Sequence, residues 1–123
     1  MKQNTIALVY DFDGTLIPKT MQEYTIIPRL KLDSDKFWSQ IIKEANDTEG
    51  EIMMIYMRQL ITHAESMNIN ITREEFKLMA SKIKYFKGVE TWFDNINQYI
   101  KSKHHKIKVA HYVISAGHHE ILE

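Results

Sequence analysis

Two short apolar segments near opposite ends of the chain limit what it can become. Residues 5–10 read T-I-A-L-V-Y, and residues 106–115 read K-I-K-V-A-H-Y-V-I-S. Turn chemistry follows each at once, Asp13-Gly14 after the first and Ala116-Gly117 after the second. Such runs suit strands, and the first reads as a strand buried on both faces. A helical pattern leads into the second. A helix feeding a second apolar strand predicts a parallel, right-handed crossover in an α/β sheet.

The stretch between the strands is too long for a simple crossover and reads as helical. Pro18 and Pro28 predict a loop over 17–31, with a short helix around Met21–Ile27. Three amphipathic segments follow. Phe37, Trp38, Ile41, Ile42 and Ala45 recur at helical spacing in the first. Thr48-Glu49-Gly50-Glu51 has the capping-box pattern before the second, whose stripe is Ile52, Met53, Tyr56, Met57, Leu60, Ala64 and Met67. Thr72 to Glu75 repeats that pattern before the third, with Phe76, Met79, Ala80 and Ile83 apolar. After Lys87-Gly88, a fourth helix is expected to turn Val89, Trp92, Phe93, Ile96, Tyr99 and Ile100 inward. His118–Glu123 reads as the start of another helix. The expected organisation is core over 1–16, a helical cap with its linkers over 17–87, and core again over 88–123.

Composition removes several function classes. The 123 residues carry 16 Lys+Arg against 16 Asp+Glu, a net charge of +0, so neither nucleic acid nor an anionic membrane is an expected partner. There is no cysteine, which excludes disulfides and thiolate metal sites. With no apolar stretch suited to export or to a bilayer, a cytoplasmic location is expected. The cap methionines read as adaptable core filling. His118 and His119 read as solvated helix-start residues, and His63 and His111 as partly buried polar ones.

The chemistry concentrates at the two strand ends. In a parallel pair both C-terminal ends lie on one edge of the sheet, where open α/β folds bind ligands. Asp11 and Asp13 would then lie beside Ser115, whose hydroxyl, with the backbone N–H groups around Gly117, suits an anion such as phosphate. Two acids beside an anion call for an intervening hard cation, and Mg²⁺ is the expected cofactor. A carboxylate can also attack phosphorus while a second one shuttles the proton.

Asp11-Phe12-Asp13-Gly14-Thr15-Leu16 after an apolar strand resembles motif I of the haloacid dehalogenase superfamily, and Val113-Ile114-Ser115-Ala116-Gly117 resembles its motif II. The helical insertion between them resembles that superfamily's C1-type cap. The resemblance implies a Rossmann-like parallel-sheet core, only partly present, with an inserted all-helical cap. It implies a Mg²⁺-dependent phosphomonoester phosphatase acting on a small phosphorylated metabolite. Asp11 would be nucleophile and metal ligand. Asp13 would be general acid/base, with its main-chain carbonyl on the metal. Phe12, Gly14, Thr15, Ser115, Ala116 and Gly117 would surround the phosphate, with Thr15 bracing the loop. An acid at position 13 favours phosphate ester hydrolysis over dehalogenation. A phosphomutase and a non-catalytic domain binding phosphate or a partner protein are the alternative readings. The superfamily also uses a downstream basic residue and further acids, and residues 116–123 hold no Lys or Arg. The chain is therefore expected to be a truncated, weakly active or inactive form that self-associates through exposed sheet edges.

Overall fold

The computed structural model describes residues 4–123. The order is β1 (Thr5–Asp11), α1 (Met21–Tyr24), α2 (Ile26–Arg29), α3 (Ser34–Thr48), α4 (Ile52–Ser66), α5 (Arg73–Ala80), α6 (Val89–Lys103), β2 (Lys108–Ile114) and α7 (His119–Leu122). The fold is mixed α/β, mostly helical with one small parallel sheet. No described helix is long and apolar enough to cross a membrane. The chain forms two compact units. The first joins the chain up to Met21 with Ile83–Gly117; the second joins Gln22–Lys82 with His118–Glu123. The segment 118–123, expected in the core, thus belongs to the helical unit, because α7 packs on α5.

In the first unit β1 and β2 pair in parallel and in step, from Thr5 opposite Lys108 to Asp11 opposite Ile114. Side chains alternate between the two faces of such a sheet. One face carries Tyr10 and His111 and meets α6: the Phe93 ring stands edge-on to Tyr10 at 5.5 Å and to His111 at 5.2 Å. Trp92 Nε1 donates to Tyr10 Oη at 3.0 Å, Tyr10 Oη meets His111 Nδ1 at 2.9 Å, and His111 Nε2 meets Asn97 Oδ1 at 2.9 Å. The Asn97 oxygen only accepts, so the His111 proton sits on Nε2 and Nδ1 accepts the Tyr10 hydroxyl.

The opposite face is open. Val9, Tyr112 and Ile114 are 54%, 55% and 68% exposed. A strand buried on both faces is therefore not what β1 becomes. It has one partner strand and one covering helix among the described residues, and its alternate side chains face solvent. The expectation for α6 is corrected for the same reason. None of its residues is buried, Trp92 and Tyr99 are exposed, and Val89, Phe93, Ile96 and Ile100 are half-buried. Two strands are too narrow to cover a helix stripe.

The second unit has a true core. Ile26, Ile27, Leu30, Phe37, Ile41, Ala45, Ile55, Tyr56, Leu60, Ala64 and Met79 form one buried cluster. Each fully buried large apolar side chain there contributes roughly 1.5–3 kcal/mol. Tyr56 lies between Phe37, edge-on at 6.2 Å, and Trp38, stacked at 5.3 Å. The α4 stripe is rotated from the one expected: Ile55 is buried, whereas Ile52, Met57 and Met67 are exposed. Its start differs too. Thr48 is the last residue of α3 and donates to the Glu44 carbonyl, while Glu51 caps α4 by accepting from Met53 N–H. Glu49, at φ 51°, takes the left-handed turn between the helices. The expected capping box at Thr72 is present in full: its hydroxyl accepts from Glu75 N–H and the Glu75 carboxylate accepts from Thr72 N–H.

Candidate functional site

The first strand ends in a tight loop built on one carbonyl. Phe12 O accepts from the N–H groups of Thr15, Leu16 and Ile17 at 3.2, 2.9 and 3.3 Å. Such a turn needs a left-handed residue, and Gly14 supplies it at φ 75°. A Cβ at Gly14 would meet nothing within 4 Å, so conformation and not space calls for glycine. Phe12 anchors the loop by burying its ring at 4% exposure. Asp11 and Asp13 flank that anchor, the first exposed and the second half-buried.

Each carboxylate is oriented by a local donor. Thr15 Oγ1 donates to Asp11 Oδ2 at 3.1 Å, and Met21 N–H donates to Asp13 Oδ1 at 2.9 Å. Ser115 follows β2 directly, one residue beyond Ile114, the register partner of Asp11. Neighbouring strands run about 4.8 Å apart, so the strand ends bearing Asp11 and Ser115 lie side by side. Gly117 N–H donates to Ser115 Oγ at 3.0 Å, which leaves the hydroxyl proton to serve as a donor. Ala116 is exposed in this turn.

Met21 ties the two loops together, a role that nothing in its sequence context signals. Its N–H holds Asp13, and its side chain approaches Gly117 closely: a Cβ there would lie 2.2 Å from Met21 Cε and 2.4 Å from Sδ. A Cβ at Gly117 would push aside the flexible Met21 thioether end, so close approach favours glycine there, which a G in a turn motif does not reveal. The segment 84–87 also lies on the first loop. Phe86 N–H donates to Leu16 O at 3.0 Å, and the Tyr85 ring stands edge-on to Phe12 at 6.4 Å.

The oxygens gathered here are of the hard, cation-binding kind. Among the described residues no three His, Cys, Asp or Glu side chains form a metal-holding group, so the loop offers two carboxylates and main-chain oxygens.

The second unit holds a separate apolar groove of about 340 Å³, lined by Met57, Leu60, Ala64, Ile69, Phe76 and His118 among others. His118 is not the solvated helix-start residue its position suggests. Its ring stacks on Phe76 at 4.4 Å, and its Nε2 meets Tyr56 Oη at 2.9 Å. Desolvation lowers its pKa from the ordinary 6.5, partly opposed by the nearby Glu120 carboxylate. Arg73 pairs with Glu120 at 3.0 Å and Lys77 with Glu123 at 2.8 Å, holding α7 on α5.

No known family profile matches this chain. No solved structure matches it either. Among curated proteins it is similar to one from Borreliella burgdorferi described as an uncharacterized protein. The two are 28% identical over 107 residues, an alignment covering 81% of this chain and 37% of that protein. The chain therefore spans little more than a third of the length of the relative it matches.

Proposed function

We propose that the Asp11–Thr15 loop and the Ser115–Gly117 turn form the phosphoryl site of a Mg²⁺-dependent phosphomonoester hydrolase of the haloacid dehalogenase type, with a Rossmann-like core. One observation carries the reading: parallel, in-step pairing of β1 with β2 brings Asp11 and Ser115 to adjacent strand ends across a hundred residues of chain. An aspartate pair with a hydroxyl beside it suits phosphate when a hard cation intervenes, the Gly117 N–H being already given to Ser115 Oγ.

Each residue takes one role in the reaction. The Asp11 carboxylate, with Oδ2 held by Thr15, attacks phosphorus through Oδ1 as the bond to the ester oxygen breaks. Asp13, with Oδ1 held by Met21 N–H, gives a proton to the departing alkoxide. It then takes a proton from the water that attacks the aspartyl-phosphate, releasing inorganic phosphate and restoring Asp11. Ser115 donates its hydroxyl proton to a phosphoryl oxygen. Carboxylate and carbonyl oxygens fit a small hard cation that keeps several waters. The Asp11 carboxylate and the Asp13 carbonyl would hold Mg²⁺, which supplies charge neutralisation when bound.

Binding of beryllium trifluoride, an aspartyl-phosphate mimic, tests the reading by calorimetry and by ¹⁹F resonance. Mg²⁺-dependent binding that Asp11→Asn abolishes is the expected result. Binding that survives Asp11→Asn removes the nucleophile assignment. Phosphate binding without the fluoride complex points to the non-catalytic alternative.

A further inference from the structure

Resting on that phosphoryl site, we infer that Tyr85 and Phe86 select the substrate, and that it is a phosphomonoester carrying a flat aromatic ring. The two side chains are adjacent in sequence and each is 44% exposed. Their segment is fastened to the first loop by the Phe86 N–H bond to Leu16 O at 3.0 Å, and the Tyr85 ring is braced edge-on by Phe12 at 6.4 Å. Leu16 belongs to the loop that follows both acids, so this main-chain bond sets the ring pair along that loop.

Two adjacent aromatic faces are left partly open to water on a segment held by a main-chain hydrogen bond. The other exposed rings of this unit, Trp92, Tyr99 and Tyr112, lie on α6 and β2, whereas these two lie on the segment bonded to the loop that carries the acids. Exposed rings beside a site for a polar group form a stacking platform, since any flat π-system can lie on them. The charge around them agrees. Lys84 and Lys87 flank the pair, both exposed, with no acid between them, in a chain of +0 net charge. A phosphate dianion is drawn to such a segment, whereas an uncharged aromatic compound is not.

Calorimetric titration in Mg²⁺ with phenyl phosphate, adenosine 5′-monophosphate, glycerol 3-phosphate and inorganic phosphate tests this. At least one aromatic ester is expected to bind about tenfold more tightly than glycerol 3-phosphate, the scale of one ring stacked on aromatic side chains. A preference for phenyl phosphate places the ring next to the phosphate, and one for the nucleotide places it beyond a sugar-length spacer. In the Tyr85→Leu, Phe86→Leu double variant the aromatic-to-aliphatic ratio is expected to fall towards one. Tyr85→Phe, which keeps the ring, is expected to retain it. Equal binding of aromatic and aliphatic esters, or a ratio untouched by the double variant, overturns the inference while leaving the phosphoryl site standing. Failure of all four compounds to bind overturns both.

Discussion

The helical unit and the sheet unit of this protein are stabilised in different ways. The helical unit closes a conventional apolar core, with Tyr56 at 1% exposure between Phe37 and Trp38 and a full capping box at Thr72. In the sheet unit no α6 side chain is buried, and one sheet face is exposed at Val9, Tyr112 and Ile114. Its buried side chains, Phe12, Leu16, Ile17, Met21 and Ile83, lie around the loop and not on α6, and directional contacts supplement them: the Trp92–Tyr10–His111–Asn97 chain, the Phe12 carbonyl turn, and Met21 bridging Asp13 and Gly117. Apolar burial is additive and tolerant of small shifts, whereas a hydrogen-bonded loop depends on each donor. In the unit that carries the proposed chemistry, the side chains that would do it are held by hydrogen bonds.

The two tryptophans allow each unit to be followed separately, since Trp38 lies in the helical unit and Trp92 in the sheet unit. The largest effect expected is from Tyr56→Ala, about 3 kcal/mol of lost stability in urea unfolding read at Trp38, by cavity formation in a packed core. A smaller loss than that from Trp92→Ala, read by circular dichroism, would reverse the contrast between the units. Gly117→Ala is expected to cost about 1 kcal/mol, because the Met21 thioether end is flexible yet buried. Weaker beryllium trifluoride binding should accompany it, through Met21 N–H and Asp13. A stability loss with binding intact would separate Met21 from the site. Thr72→Ala should remove about 1 kcal/mol or less through the lost cap, seen at Trp38 and not at Trp92.

Acidification gives the smallest test. Desolvation holds the His118 pKa below its ordinary 6.5, so between that value and its folded pKa the unfolded chain binds more protons than the folded one. Stability of the helical unit is therefore fully present above about pH 6.5, falls as pH drops below it, and levels off beneath the folded pKa. His118→Phe should flatten that part of the profile in urea midpoints taken from pH 5 to 8. An unchanged slope would mean that His118 is solvated after all.

Much of the architecture is legible in the sequence. Apolar runs bounded by turns marked both strands, a helix between them implied parallel pairing, and Thr72 with Glu75 announced the start of α5. Local rules failed where tertiary surroundings intervened. Thr48 and Glu51 have the letters of a capping box, but α3 runs through Thr48 and Glu49 turns instead. The α4 stripe differs from its sequence pattern because Met53, Ile55, Tyr56 and Met57 are all apolar, and periodicity does not choose among adjacent apolar residues. His118 looked solvated because nothing local predicts that Phe76 and Tyr56 receive it.

Alone, the sequence determined the local chemistry: a turn needing Gly14, acids at positions 11 and 13, and a hydroxyl at 115, because each follows from a few consecutive residues. The tertiary structure alone decided which face of β1 is covered, that Met21 joins Asp13 to Gly117, and that Tyr85 and Phe86 border the loop. Those facts depend on contacts between residues far apart in the chain, whose closure local propensity neither encodes nor forbids.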